Sequence, residues 1–203
     1  PYTLQVLGDI ITLGGVGEFS AIDLPKVLAG KKVSVSPYIG TYSEGMNGSC
    51  SPKDLETMLQ LVHLYFTAPR ADQEAFTSNM ERTKAMLKNM ELNPMITLSD
   101  SLNKVLYNNH PLTVRMKAED YDKVDYAKAM EMYKDRFADP NNFTFTFVGN
   151  IDLETFKPLV EKYLASLKKN KRKEDWKNIG LAVNDDNYVT HYRKEMQDPK
   201  TSV

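Results

Sequence analysis

Apolar and polar positions along this chain follow two periods, and the switches between them mark its elements. In "TLQVLGDIIT", Leu4, Leu7, Ile10 and Ile11 recur at three- and four-residue steps, which predicts a helix over 3–12. The glycines of "LGGVGEF" end it. Ser20, with Asp23 three residues on, then predicts a short capped helix with Pro25 in its first turn. The stretch "LAGKKVSVSPYIGTYSEGMNGSC" (28–50) changes period. Val33, Val35 and Tyr38–Ile39 alternate with Ser34 and Ser36, as in a half-buried strand, and Pro37 predicts an edge or a bulge. Gly40 and Gly45 allow a tight turn into a second strand.

From Ser51 the helical period returns. Ser51, Pro52 and Asp54 form a helix-start signal, and Leu55, Met58, Leu59, Val62, Tyr65 and Phe66 share one face. Helices are predicted over 72–90 (Phe76, Met80, Leu87 on one side), about 95–108, and about 125–137 (Tyr126, Met130, Tyr133, Phe137 inward). "NFTFTFVGN" (142–150) alternates strictly and predicts a strand with one buried face. "IDLETFKPLVEKYLASL" (151–167) is amphipathic, with Leu153, Phe156, Val160, Tyr163 and Leu167 inward and Pro158 placed to bend it. "KKNKRK" (168–173) reads as a solvated basic linker, and "NYVTHYRKEM" (187–196) as a last strand. The expected fold class is α+β: a mainly antiparallel or mixed sheet with helices packed on one face.

Composition narrows the function classes. The 203 residues are 41% hydrophobic and 26% charged, which is ordinary for a globular protein. A formal net charge of −1 gives no global field for nucleic acid or an anionic membrane. No apolar run approaches the roughly 20 residues of a membrane span. One cysteine, Cys50, excludes an internal disulfide. The chain opens on Pro1 and closes on "QDPKTSV", so a segment of a longer protein is expected.

Candidate chemistry is sparse. None of His63, His110 and His191 has a second His or a Glu at zinc-motif spacing. His63 reads as a packing histidine, His110 and His191 as surface residues. Cys50 precedes a helix start, which can lower a thiol pKa, but no partner base is visible in the sequence. Gly15, Gly17 and Ser20 make a partial dinucleotide-loop pattern after a run with helical, not strand, spacing. Glu119, Asp120, Asp122 and Asp125 cluster where acids favour a helix start.

The order of the stretches is more specific than any one of them. A capped "FSAIDLPKVLAGK" leads into "VSVSPYIGTYSEGMNGSCSPKDLETMLQL". Then come "FTSNMERTKAML", "NNHPLT" and "YKDRFADPNNFTFTFVGNIDLETFKPLVEKYLASL". In this order they resemble the pitrilysin/insulinase family of zinc metallopeptidases, the inverzincins. The likeness covers nearly the whole chain and is greatest in "FTFTFVGNIDLETFKPLVEKYLASL". The resemblance implies α+β units paired into two halves that close around a peptide. In the active half, H-x-x-E-H and a later Glu supply two His and one Glu to zinc, and the first Glu is the general base. An ungapped register places that motif at Val6, Asp9 and Ile10, and the later Glu at Met86–Leu87. Neither is present.

The resemblance therefore implies a non-catalytic unit, the first of the C-terminal half of a bacterial peptidase of the periplasm or cell envelope, forming one chamber wall. No catalytic and no metal-binding residue carries over. No cofactor is expected in this segment, and zinc is expected in the catalytic half. The expected partners are that half of the same chain and a peptide substrate, with no nucleic acid and no membrane span. Tyr38, Tyr42 and Glu44 are the candidate substrate-facing residues, with ordinary sheet residues as the alternative for each. Residues 1–185 would form one α+β unit, and 186–203 a linker and first strand leading to the next. The alternative reading is a scaffold protein of the same fold, like the core subunits of respiratory complexes.

Overall fold

The computed structural model describes residues 2–170, 175–186, 189 and 191. The chain divides into two compact units. One holds Thr3–Ser78 and Asp125–Asp175; the other holds Pro1–Tyr2, Asn79–Val124 and Trp176–Val203.

The first unit is built round a hairpin and a central helix. β1 (Val33–Ile39) pairs antiparallel with β2 (Glu44–Cys50), Val33 opposite Cys50 and Ile39 opposite Glu44. The turn closes where the Gly40 N–H donates to Ser43 O (2.8 Å). Ahead of the hairpin, the run predicted as one helix forms two short turns, α1 (Tyr2–Gln5) and α2 (Leu7–Ile10), separated at Val6. The capped turn at Ser20 is present: the Asp23 N–H donates to Ser20 Oγ (3.1 Å) and α3 (Leu24–Val27) follows.

The central helix, α4 (Leu55–Thr67), packs on two sides because its apolar positions span more than one stripe. Leu61 and Tyr65 join Val16, Val33, Val35 and Met46 under the hairpin. Leu59, Val62 and Phe66 join Leu164, Leu167 and Phe156 of the region of α8 (Leu153–Tyr163). α7 (Tyr126–Arg136) closes the unit, capped by Asp125, whose carboxylate accepts from the Lys128 N–H (2.9 Å). α8 is capped in the same way by Asp152 (3.2 Å to the Glu154 N–H).

Two expectations need correction. Ser51 does not cap through its hydroxyl: a 3-10 turn at Pro52–Asp54 precedes α4, and Ser51 Oγ donates to Asp54 instead. The same carboxylate accepts the Lys32 N–H (2.9 Å) and so ties the start of β1 to the start of α4. The alternating run 143–148 forms no ladder among the described residues. Its phenylalanines still pack: Phe143 and Phe145 lie on Phe66 (5.1 and 6.0 Å between centroids), and Phe147 on Phe156 (4.9 Å). Alternation specifies which face is buried; it cannot specify a pairing partner distant in the chain. The predicted strand over 187–196 lies outside the described residues apart from 189 and 191.

Asp54 gives a pH prediction. Ser51's hydroxyl and the Lys32 N–H hold its carboxyl below the ordinary aspartate value. A depressed folded-state value contributes stability that is complete above the unfolded value, about 3.9, and is lost as pH falls through the lower folded value. Urea midpoints measured from pH 6 downward should fall in that window, and Asp54→Asn should flatten part of the fall.

In the second unit, α5 (Gln73–Met90) enters from the first and is followed by α6 (Pro94–Leu106), capped by Asn93 (2.9 Å to the Met95 N–H). Asn108 and Asn109 both take positive φ (50° and 55°), which asparagine tolerates, and they end α6. Arg115 grips Asp100 through Nε (3.0 Å) and Nη2 (2.7 Å).

Candidate functional site

Where the resemblance places zinc ligands, the structure has core. Val6 is 4% exposed and Ile10 is 0% exposed; only Asp9 reaches solvent. α2 lies against α7 and β1. The approach to β1 is close enough that a Cβ on Gly8 would fall 2.9 Å from Ile39 O. Thr3 Oγ fixes the preceding turn by accepting the Asp125 N–H (3.1 Å). Valine and isoleucine offer no lone pair, so this position does not fit a zinc ion. Met86 and Leu87, at the position of the later Glu, are an exposed thioether and a buried isobutyl group. Among the described residues, no group of three or more His, Cys, Asp or Glu side chains is arranged to hold a metal.

The candidate substrate-facing residues sit at the turn end of the hairpin and fall into two classes. Tyr42 is 76% exposed in the turn and Tyr38 is exposed on β1. Tyr38 leans across the ladder onto its register partner Gly45, whose added Cβ would meet the phenol oxygen at 2.8 Å. The missing side chain at Gly45 therefore makes room for the ring. Both phenols offer a flat face and a hydrogen-bonding edge. Glu44 is half-buried and forms an ion pair with Arg136 of α7, so its carboxylate serves as a tether within the unit. Sequence spacing carried no signal for that pair, which joins residues 92 apart.

The other candidates resolve into structural roles. His63 Nδ1 donates to Tyr163 O (2.7 Å), fastening α4 to the end of α8. His110 corrects the expectation of a surface residue. It is half-buried, its Nδ1 accepts the Leu112 N–H (3.3 Å), and its Nε2 donates to Ile179 O (3.0 Å). His191 is exposed. Burial, with Asp54 adding to it, pushes the Cys50 thiol up, so it stays protonated rather than activated.

The glycine loop is not a phosphate cradle. The N–H groups of Gly15, Val16 and Gly17 donate to Thr12 O, Phe19 O and Ala68 O (3.2, 3.0 and 2.7 Å). Gly14 is pressed against Arg70, whose Nη1 donates to Gly14 O (2.6 Å). With helical turns before it in place of a strand, the nucleotide-loop reading is overturned. In the acidic cluster, Asp120 accepts from Lys117 N and Lys123 Nζ, Asp122 pairs with Lys84, and Asp125 caps α7.

Comparison with known proteins follows this geometry. Residues 123–203 match the family model of the peptidase M16 inactive domain. The probable zinc protease PqqL of Haemophilus influenzae is 24% identical over 166 residues, 82% of this chain and 18% of that protein. A zinc protease PQQL-like protein of Arabidopsis thaliana is 32% identical over 117 residues, 57% of this chain and 12% of that protein. The chain thus spans less than a fifth of either curated relative. Two solved structures share the fold. One is the periplasmic protease PqqL from Escherichia coli (TM-score 0.76, 20% identity, 92% of this chain and 21% of that one). The other is a mutant of the ferredoxin protease FusC in complex with Arabidopsis ferredoxin (TM-score 0.71, 16% identity, 90% and 20%). Residues 123–203 thus match the peptidase M16 inactive domain, and the chain's similarity to the PqqL zinc proteases supports the pitrilysin/insulinase likeness.

Proposed function

We propose that this chain is a non-catalytic unit of a bacterial zinc endopeptidase, forming a chamber wall and part of the peptide-holding surface. The observation that carries the reading is the burial of Val6 and Ile10 where an active unit needs two histidines. Zinc and the general base then belong to the catalytic half of the same chain, and this segment holds no cofactor. Residues 1–185, which include parts of both compact units, are proposed as one repeat of the longer protein, with 186–203 leading to the next. The periplasmic PqqL relative supports a periplasmic or cell-envelope site, and the FusC complex supports a polypeptide substrate. No helix among the described residues is long and apolar enough to cross a membrane.

Tyr38 and Tyr42 are the residues of this wall proposed to touch the peptide. A contact made equally in ground and transition states sets KM alone. In the full-length protein, Tyr38→Ala/Tyr42→Ala should raise KM for an unstructured peptide several-fold and leave kcat near wild type. An unchanged KM would remove both from the substrate surface. A full-length protein with neither zinc nor cleavage would favour the scaffold reading of the same fold.

A further inference from the structure

The pleat of the hairpin sorts the residues at its turn end onto two faces. On β1, Pro37 is buried and Ile39 half-buried, while Tyr38 between them is exposed. The register carries this sorting to β2. Tyr38 stands opposite Gly45 on the outer face, and Ile39 stands opposite Glu44 on the inner face. Gly45 is buried because the Tyr38 ring lies over it.

The two ends of the hairpin are held by different chemistry. At the base, the Asp54 carboxylate accepts the Lys32 N–H (2.9 Å), and the Ser51 N–H donates to Lys32 O (2.8 Å). Apolar packing under the sheet extends along β2 as far as Met46. The next inward position, at the last rung before the turn, is a carboxylate, Glu44. A two-stranded ribbon is marginal in water by itself, so its last rung takes its order from what it is fastened to.

That fastening is Arg136, whose Nη2 donates to Glu44 Oε1. The two side chains are only 33% and 17% exposed. Charge-assisted hydrogen bonds are stronger than neutral ones, and a shielded pair is screened less by salt than an exposed one. The base of the arginine is fixed as well. Arg136 ends α7 between Tyr133, which is 1% exposed and donates to Tyr65 O, and Phe137, which is 2% exposed. Glu44 and Tyr38 lie on opposite faces of adjoining rungs, so the pull on the carboxylate from below sets the height and tilt of the ring above.

We propose that Arg136 and Glu44 are positioning residues for substrate: their ion pair holds the hairpin tip so that Tyr38 and Tyr42 meet the peptide in one arrangement. This role rests on the proposed contact of both tyrosines with the peptide. The pair acts through the tyrosines and not by touching the peptide itself. A tip ordered beforehand loses less conformational freedom on binding, so the pair lowers KM without entering the chemical step.

The test measures KM and kcat of the full-length protein on an unstructured peptide. Glu44→Gln and Arg136→Met should each raise KM several-fold and leave kcat near wild type. Arg136→Lys keeps the charge and should hold KM near wild type. Glu44→Gln added to Tyr38→Ala/Tyr42→Ala should have no further effect, because the residues it positions are gone. Circular dichroism checks folding; should Arg136→Met fail to fold, the isosteric Glu44→Gln decides. A raised KM in the tyrosine variant with an unchanged KM in Glu44→Gln overturns the positioning role alone. So does a further rise when Glu44→Gln is added to the tyrosine variant, or a fall in kcat at constant KM. An unchanged KM in the tyrosine variant overturns the tyrosine contact and the positioning role together.

Discussion

Introducing histidine at Val6 and Ile10 together is expected to unfold the chain, not to create a zinc site. Both side chains are almost completely excluded from water. Each contributes about 1.5–3 kcal/mol by burial, and each replacement imidazole without a partner costs about 1–3 kcal/mol more. The total, about 5–12 kcal/mol, is comparable with the whole stability of a typical domain. The double variant should lose its cooperative thermal transition, and added zinc should not bring it back. A folded variant that binds one zinc per chain would mean that the space beneath β1 is a preserved metal site. Converting this unit into an active one would require rebuilding its core, because the two positions now hold the helix against α7 and β1.

The second large effect centres on Tyr133. It is 1% exposed, its ring lies 4.6 Å from Phe137, and Phe137 in turn meets Phe66 at 5.4 Å. Its hydroxyl donates to Tyr65 O (2.8 Å). The chemistry of α4 explains that bond. The residue four positions after Tyr65 is Pro69, which has no N–H, so the Tyr65 carbonyl has no helical donor. Tyr133 supplies it from α7. Burial pushes the Tyr133 phenol well above its ordinary value, so the donor stays protonated. Tyr133→Ala should cost about 3–5 kcal/mol in urea unfolding. Tyr133→Phe keeps the ring and isolates the hydrogen bond, and should cost about 1–3 kcal/mol by leaving the carbonyl unpaired. A Phe variant as stable as wild type would show that another donor reaches Tyr65.

Much of this was legible in the sequence because the signals are local. The alternation over 33–39 and the apolar face from Leu55 to Phe66 specify elements within a few residues of themselves. The structure has β1 over the same residues as that alternation and α4 over Leu55–Thr67, after a 3-10 turn where the helix start was expected. The likeness to the pitrilysin family, and the absence of its metal motif at Val6, Asp9 and Ile10, were legible for the same reason. What was not legible depends on contacts between distant residues. The phenylalanines at 143, 145 and 147 announced a buried face but not a pairing partner. Glu44 and Arg136, 92 residues apart, carry no spacing signal, so the ion pair that ties Glu44 to α7 could not be read from the sequence. His110 is bound to Ile179 O, 69 residues away, and no motif foretells that bond. The carboxylate of Asp54 is recruited by Lys32 for the same long-range reason, which displaces the cap expected from Ser51.

The central claim is that this unit carries no peptidase chemistry of its own. The most direct measurement is zinc per chain in the purified 203-residue protein, together with cleavage of an unstructured peptide with and without added zinc. The expected result is no stoichiometric zinc and no chelator-sensitive cleavage. One tightly held zinc per chain with chelator-sensitive cleavage would contradict the claim and would require a ligand set among His63, His110, His191 and the acidic residues.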